Sequence, residues 1–398
     1  MFPYGRQTIE DDDIAAVAQA LRGDFLTTGP LVDEFERALA EATGAREAVV
    51  CMNGTAALHL AALALDIGPD DAVVVPSLTF LATANAARYC GAEVVFADVD
   101  SQTGLMGPDH LEEALARVPS GLKPKVVFPV HLAGQCVDMP AIEGIARAHG
   151  LKIVTDSCHA LGGRYRTQGG GMASVGSGAH TDLSTFSFHP VKTIAMGEGG
   201  AITTGNSAWA ARMRTLRTHG MVHRPARPAV PEQGLDERDA PNPWYYEMPE
   251  PGFNYRAPDI LCALGLSQLR KLERFVRRRG EIVALYNDLL QPLAPRVLPP
   301  QKTNTCDPAW HLYAARFDFR AIGKSRARIM NDLKERGVGT QAHYLPVHRQ
   351  PYYRERYGTL GLPGADHYYE RTLSLPLYPA LTNDDVQTVV AALKGVLG

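Results

Sequence analysis

The sequence predicts an α/β protein, with a mostly parallel sheet sandwiched by helices and a smaller α+β unit behind it. Three observations predict it. Between Ala45 and Asp156, short apolar runs alternate with stretches of helical spacing, the pattern of parallel strands joined by crossover helices. Two further apolar runs, Leu183–Phe188 and Ala201–Thr204, flank a glycine-rich turn. From Leu298 onward, strand and helix patterns mix without that alternation. A chain of 398 residues can bury roughly three quarters of its unfolded surface, so its core needs no covalent staples.

In chain order, residues 9–22 carry Ile9, Ile14, Val17 and Leu21 at helical spacing, with Thr8 as the expected N-cap. Pro30 opens a second helix running to about Thr43. Residues 1–30 stand outside the strand–helix alternation and are expected to form an arm that meets a partner or covers a site. Strands are expected at Ala48–Met52, Ala72–Val75, Val94–Ala97, Val126–Val130 and Ile153–Asp156. Helices should start at Thr55 and Thr79 and lie near His110–Ala116 and Ala141–Ala148. The strand from Leu183 stops at His189-Pro190, because proline cannot donate to a sheet ladder. The large domain is thereby expected over 31–257. It includes a proline-rich excursion at 222–251 that closes on the aromatics Trp244, Tyr245 and Tyr246. A long helix from about Pro258 to Leu290 leads into the C-terminal unit, giving a second domain over 258–398. That unit should hold strands near Ala314–Phe319 and Gln341–Tyr344, and helices near Arg326–Arg336 and Asp384–Leu397.

Composition excludes several function classes. The net charge is −3, which argues against nucleic acid or an anionic membrane as partner. The compact basic run Arg277-Arg278-Arg279 reads most simply as the solvated face of a helix. Six cysteines are scattered without a CxxC pair, so neither a metal site nor a disulfide framework is expected. Cys51, Cys90 and Cys262 read as small core residues. The N-terminus lacks an apolar leader, and no stretch approaches the ~20 apolar residues of a membrane span. A cytoplasmic protein is expected.

The residues that carry chemistry fall at strand ends, where open α/β sheets bind ligands. Asn53-Gly54-Thr55 opens a helix, and first-turn N–H groups beside a hydroxyl form a phosphate site. There is no Walker lysine and no GxGxxG. Phe80 follows the next strand, where an aromatic is more often core; the functional reading is that it lies on a flat heteroaromatic ring. Asp156 ends a strand, with His159 three residues on; the pair reads either as an N-cap aspartate with a surface histidine or as a carboxylate that holds a cationic ring. A carboxylate there is costly to bury unless it meets a cation such as a protonated pyridine. Lys192 sits just past Pro190, ahead of Gly197-Glu198-Gly199-Gly200. A lone loop lysine is ordinarily solvated, but one in a crowded site loses its proton more easily and can form a Schiff base. A phosphate cradle, a ring stacker, a pyridinium carboxylate and a Schiff-base lysine together call for pyridoxal 5'-phosphate (PLP).

With those residues in view, the chain resembles the sugar aminotransferases of PLP fold type I. The lysine motif Ser187-Phe-His-Pro-Val-Lys192 and the following Gly197-Glu-Gly-Gly200 are intact. So are Asn53-Gly-Thr-Ala-Ala-Leu58, Pro76-Ser-Leu-Thr-Phe80, Asp156-Ser-Cys-His-Ala-Leu-Gly162 and Gly252-Phe-Asn-Tyr-Arg256. The resemblance covers nearly the whole chain. It implies a large, mostly parallel seven-stranded sheet domain, a smaller C-terminal domain and homodimers with shared sites. Within the family, Phe25–Pro30, Trp244–Met248, Trp310–Tyr313 and Gly339–Val347 resemble the members that aminate carbon 4 of a UDP-linked 4-keto-6-deoxy-N-acetylhexosamine in pseudaminic acid biosynthesis.

The resemblance also implies roles. Lys192 would be the Schiff-base lysine and proton shuttle, Asp156 the partner of the pyridine nitrogen, and His159 a neighbour of the ring hydroxyl. Gly54, Thr55 and Ser187 would bind phosphate, and Asn254 would reach the phosphate of the neighbouring subunit's cofactor. Tyr4, Phe25, Leu26, Thr27, His311, Tyr313, His343, Tyr344, Leu345, Pro346 and Val347 would surround the nucleotide sugar, with L-glutamate as amino donor. Thr155 departs from the family, many of whose members carry glutamate there; it stands beside the ring carboxylate, so tuning is expected rather than loss. Competing readings are an aminotransferase for another UDP- or dTDP-4-keto sugar and a non-catalytic PLP-binding regulatory protein. A dehydratase of the same family would carry histidine where Lys192 stands.

Overall fold

The structure is a computed structural model that describes residues 1–223, 225 and 227–398. Seven strands form the main sheet: β1 Glu47–Cys51, β2 Asp71–Pro76, β3 Glu93–Ala97, β4 Lys123–Val127, β5 Lys152–Asp156, β6 Leu183–Ser187 and β7 Gly200–Thr204. Their spatial order is β1-β7-β6-β5-β4-β2-β3. Strand β7 runs antiparallel to both neighbours, and the remaining pairings are parallel. Buried on both faces, these strands read as near-continuous apolar runs rather than alternating ones; Val73, Val74 and Val75 are fully buried.

The helices that position the site are α1 Asp11–Leu21, α2 Pro30–Thr43, α3 Gly54–Ala64, α4 Leu81–Tyr89, α5 Pro108–Leu115, α6 Met139–Ala148, α7 Ser207–Leu216, α8 Asp259–Leu269 and α9 Leu272–Leu290. Helix α3 is apolar almost all round, because it packs on β6 and β7 while α4 and α7 cover its other sides. Asn53 starts it by accepting the Ala56 N–H at 2.8 Å. Beyond α9, a three-stranded antiparallel sheet, β8 Val297–Leu298, β9 Tyr313–Phe317 and β10 Thr372–Leu375, packs with α10 Arg326–Glu335 and α11 Asn383–Leu397 around a second apolar core. The two cores divide inside α9, whose Phe275 belongs to the first and Ile282 to the second. Val347, Tyr353 and Tyr368 return to the first.

Several expectations are corrected. The N-cap of helix α1 is Glu10, not Thr8, because the Asp13 carboxylate reaches back to accept the Glu10 N–H at 2.9 Å. The expected single helix over 258–290 is two, broken at Arg270–Lys271. There the Lys271 ammonium turns into Glu10, Asp12 and Asp13 of the N-terminal segment. Gln341–Tyr344 is no strand; one isolated bridge joins Gln341 to Ser374. Cys90 is only half-buried, unlike Cys51 and Cys262. The basic run is not uniformly solvated: Arg277 is exposed, whereas Arg279 is 1% exposed. Arg224 and Ala226 of the proline-rich excursion lie outside the described residues. Among the described residues no helix is long and apolar enough to cross a membrane. No group of three or more metal-ligating side chains gathers among them either.

Candidate active site

A cavity of about 600 Å³ opens at the carboxyl ends of β2, β5 and β6, floored by the first turn of α3. Lys192, Asp156, His159, Gly54, Thr55, Ser187, Phe80, Tyr4, His343 and Tyr344 all line it.

Lys192 lies on the loop between β6 and β7, where its backbone N–H donates to the His189 carbonyl at 2.8 Å. Burial pulls its ammonium below the ordinary lysine value, with Cys158 and Asp156 acting the other way. A larger fraction of amine is thereby available as base and nucleophile. Asp156, at the end of β5, is buried. Its Oδ2 accepts from Thr83 Oγ1 at 2.7 Å and its Oδ1 from the Cys158 N–H at 3.2 Å. Thr83 spends its single proton on Asp156, so it accepts from Thr79 Oγ1 at 2.8 Å. Both donors to the carboxylate are neutral, and a cationic ring nitrogen would complete its partners.

His159 is fixed from both ends. Its Nδ1 accepts the Ala133 N–H at 3.3 Å, so Nε2 carries the proton and donates to the Tyr344 hydroxyl at 3.1 Å. Burial, then Lys192 and His343, hold its pKa well below the ordinary histidine value. The ring therefore stays neutral. Ala133 reaches it through a left-handed backbone (φ 58°). Gly134 next to it has φ +94°, and a Cβ there would lie 2.0 Å from the Ala309 carbonyl oxygen.

At the cavity floor, Gly54 and Thr55 present first-turn N–H groups that no carbonyl of the helix can accept. A Cβ on Gly54 would approach Ser187 Cβ to 2.9 Å, so glycine is what lets the helix start close to the end of β6. Phe80 is 55% exposed at the mouth, its ring 5.9 Å from that of Tyr344.

Other expected site residues lie elsewhere. His311 is buried behind His159, ring centroids 4.3 Å apart. Tyr313 faces the C-terminal core, stacked on Tyr286 with its hydroxyl donating to Asn287; β9 directs it away from the cavity. Phe25, Leu26 and Thr27 are exposed on the α1–α2 loop. Asn254 is exposed outside the cavity, and Leu345, Pro346 and Val347 pass beside it without lining it. Val347 donates its N–H to the Ser77 carbonyl. Thr155 points to the other sheet face, donating to Ser184 Oγ at 2.8 Å and accepting from Ser157 Oγ at 3.1 Å. Thr83 and Ala133 were not among the expected site residues, and neither carries a local signal in the sequence.

The profile of the DegT/DnrJ/EryC1/StrS aminotransferase family matches residues 7–394. The chain belongs to this family. It is 37% identical over 398 residues to "Spore coat polysaccharide biosynthesis protein SpsC" of Bacillus subtilis, covering 99% of this chain and 97% of that protein. Among solved structures it superposes on Helicobacter pylori PseC, "aminotransferase involved in the biosynthesis of pseudoaminic acid", with TM-score 0.87 and 27% identity, covering 100% and 99% of the two chains. It superposes on a sugar aminotransferase of Streptococcus pneumoniae in its PMP form with TM-score 0.86 and 28% identity, covering 100% and 99%. As a member of the DegT/DnrJ/EryC1/StrS family it is a PLP-dependent aminotransferase. The residues present fit the cofactor: the Gly54 close approach, the Asp156 carboxylate with no ion-pair partner among the described residues, and the half-buried Lys192 lining the cavity. When bound, PLP supplies an aldehyde that condenses with amines and a ring that withdraws electrons from the carbon being deprotonated.

Proposed function

We propose that this family member moves an amino group from L-glutamate to carbon 4 of a UDP-linked 4-keto-6-deoxy-N-acetylhexosamine, in the branch of surface-glycan chemistry to which pseudaminic acid belongs. The observation that carries this reading is the whole-length match to PseC. Lys192 would hold the cofactor through its amine and, once free, would act as the base that takes the proton from the donor's α-carbon. Asp156 keeps the ring nitrogen charged, and Thr79 and Thr83 hold the carboxylate in place. Neutral His159 hydrogen-bonds without competing for that proton. Gly54, Thr55 and Ser187 anchor the phosphate. Tyr4, His343 and Tyr344, which line the cavity, form the acceptor wall. Asn254 serves the neighbouring subunit of a homodimer. Donor and acceptor use the site in turn, so kinetics are ping-pong.

A second reading is favoured by the 37% identity to SpsC: the acceptor is another UDP- or dTDP-4-keto sugar destined for a surface polysaccharide. Incubation with glutamate and a panel of UDP- and dTDP-4-keto sugars, followed by mass spectrometry, separates the two. The first reading expects the UDP-N-acetyl acceptor to gain the amine; turnover of only the other sugars overturns it in favour of the second.

A further inference from the structure

Arg279 lies at the centre of α9, 1% exposed, and every acceptor it reaches is a backbone carbonyl. Its Nη1 donates to Leu377 O at 2.9 Å and to His311 O at 3.3 Å, and its Nη2 to Lys192 O at 3.4 Å. Its Nε is buried without a partner. Burial pulls its pKa down to about 10. A guanidinium held this way is expensive, because desolvation is offset only by neutral dipoles. An apolar side chain would fill the space at lower cost.

The three carbonyls come from segments far apart in sequence. Lys192 belongs to the loop between β6 and β7, His311 lies two residues before β9, and Leu377 follows β10. Only a rigid fork with several donors can address three such groups together. Each partner leads to the cavity. The Lys192 N–H is held by His189, so Arg279 on the carbonyl fixes the peptide plane on the other side. The His311 ring backs His159 at 4.3 Å. The Leu377 N–H donates to the carbonyl of Tyr4, which lines the cavity. Gln268 of α8 adds a second support by accepting the Ala195 N–H at 3.3 Å.

We propose that Arg279 is a positioning residue for Lys192: it clamps the lysine's backbone and the His311 and Leu377 segments into one frame, setting where the Lys192 amine arrives. This rests on the family's chemistry and not on the acceptor sugar, so its failure leaves the sugar assignment untouched.

The test uses the full chain with Arg279→Met, which fills the space without charge, and Arg279→Lys, which keeps charge but not the fork. Three quantities are measured: the melting temperature, the rate at which trinitrobenzenesulfonate arylates Lys192 in cofactor-free protein (by peptide mass spectrometry), and the single-turnover rate of the holoenzyme with glutamate. The proposal expects Arg279→Met to melt within about 5 °C of the parent. Lys192 arylation should change at least about tenfold, and single turnover should fall about 10–100-fold with KM for glutamate within about threefold. Arg279→Lys should recover part of the loss. Parental arylation and turnover rates in a folded variant of either kind overturn it. If neither variant folds, Arg279 belongs to the fold alone, which equally contradicts the proposal.

Discussion

Lys192 and Asp156 divide the chemistry at the level of single residues, and each makes a separable prediction. Lys192→Ala removes the attachment point and the proton carrier together; turnover should fall by at least about 10³-fold, measured as glutamate-dependent amine transfer. Asp156→Asn keeps the shape and the Thr83 contact but removes the charge opposite the ring nitrogen, so turnover should fall about 10²–10³-fold while cofactor still binds. Unchanged rates in Asp156→Asn would show that the carboxylate only caps its turn. These two residues were legible in the sequence because each sits in a continuous motif whose neighbours end a strand. Thr83 and Arg279 were not. Thr83 reads as an ordinary helix residue until folding brings α4 against the end of β5, and Arg279 hides in a run of three arginines whose other members are more exposed.

At the scale of elements, two connections hold the site's framework. Buried Asp259, in the first turn of α8, accepts the Gly29 and Leu31 N–H groups at 2.8 and 3.1 Å, and so caps α2 from a distance. Asp259→Ala should lower stability by about 1–3 kcal/mol in denaturant unfolding, since two donors lose their partner; a change under about 0.5 kcal/mol would mean that water replaces it. Gly134→Ala forces a Cβ toward the Ala309 carbonyl at a left-handed backbone position. It should cost about 1–3 kcal/mol and reduce turnover as well, because Ala133 next to it holds His159. The main-sheet strands were legible because apolar runs broken by crossover helices have few other solutions. The break between α8 and α9 was not, because it depends on Lys271 meeting carboxylates of the N-terminal segment. Residues 341–344 have strand-like composition, yet they bend into the cavity wall and keep one bridge.

The molecule as a whole buries several histidines in neutral form, and that sets its acid response. Burial lowers His131 to about 4 and, with Lys192 adding to burial, His343 to about 3, against about 6.5 in an unfolded chain. Between those values the unfolded chain binds more protons, so stability falls as pH drops from about 6.5 toward 4, and these groups leave it flat above 6.5. Melting temperature against pH should show that decline, and His131→Gln should make it shallower; parallel curves would remove His131 from the account. The whole-chain match to aminotransferase structures joins this framework to the Lys192 loop, and the loop's chemistry is what the account depends on most. Borohydride reduction of the PLP-loaded protein, followed by peptide mass spectrometry, tests it directly. The expected result is one phosphopyridoxyl tag, on Lys192, that disappears when L-glutamate is added before the reductant. A tag on another lysine, or none on a protein that has bound the cofactor, would contradict the assignment of Lys192.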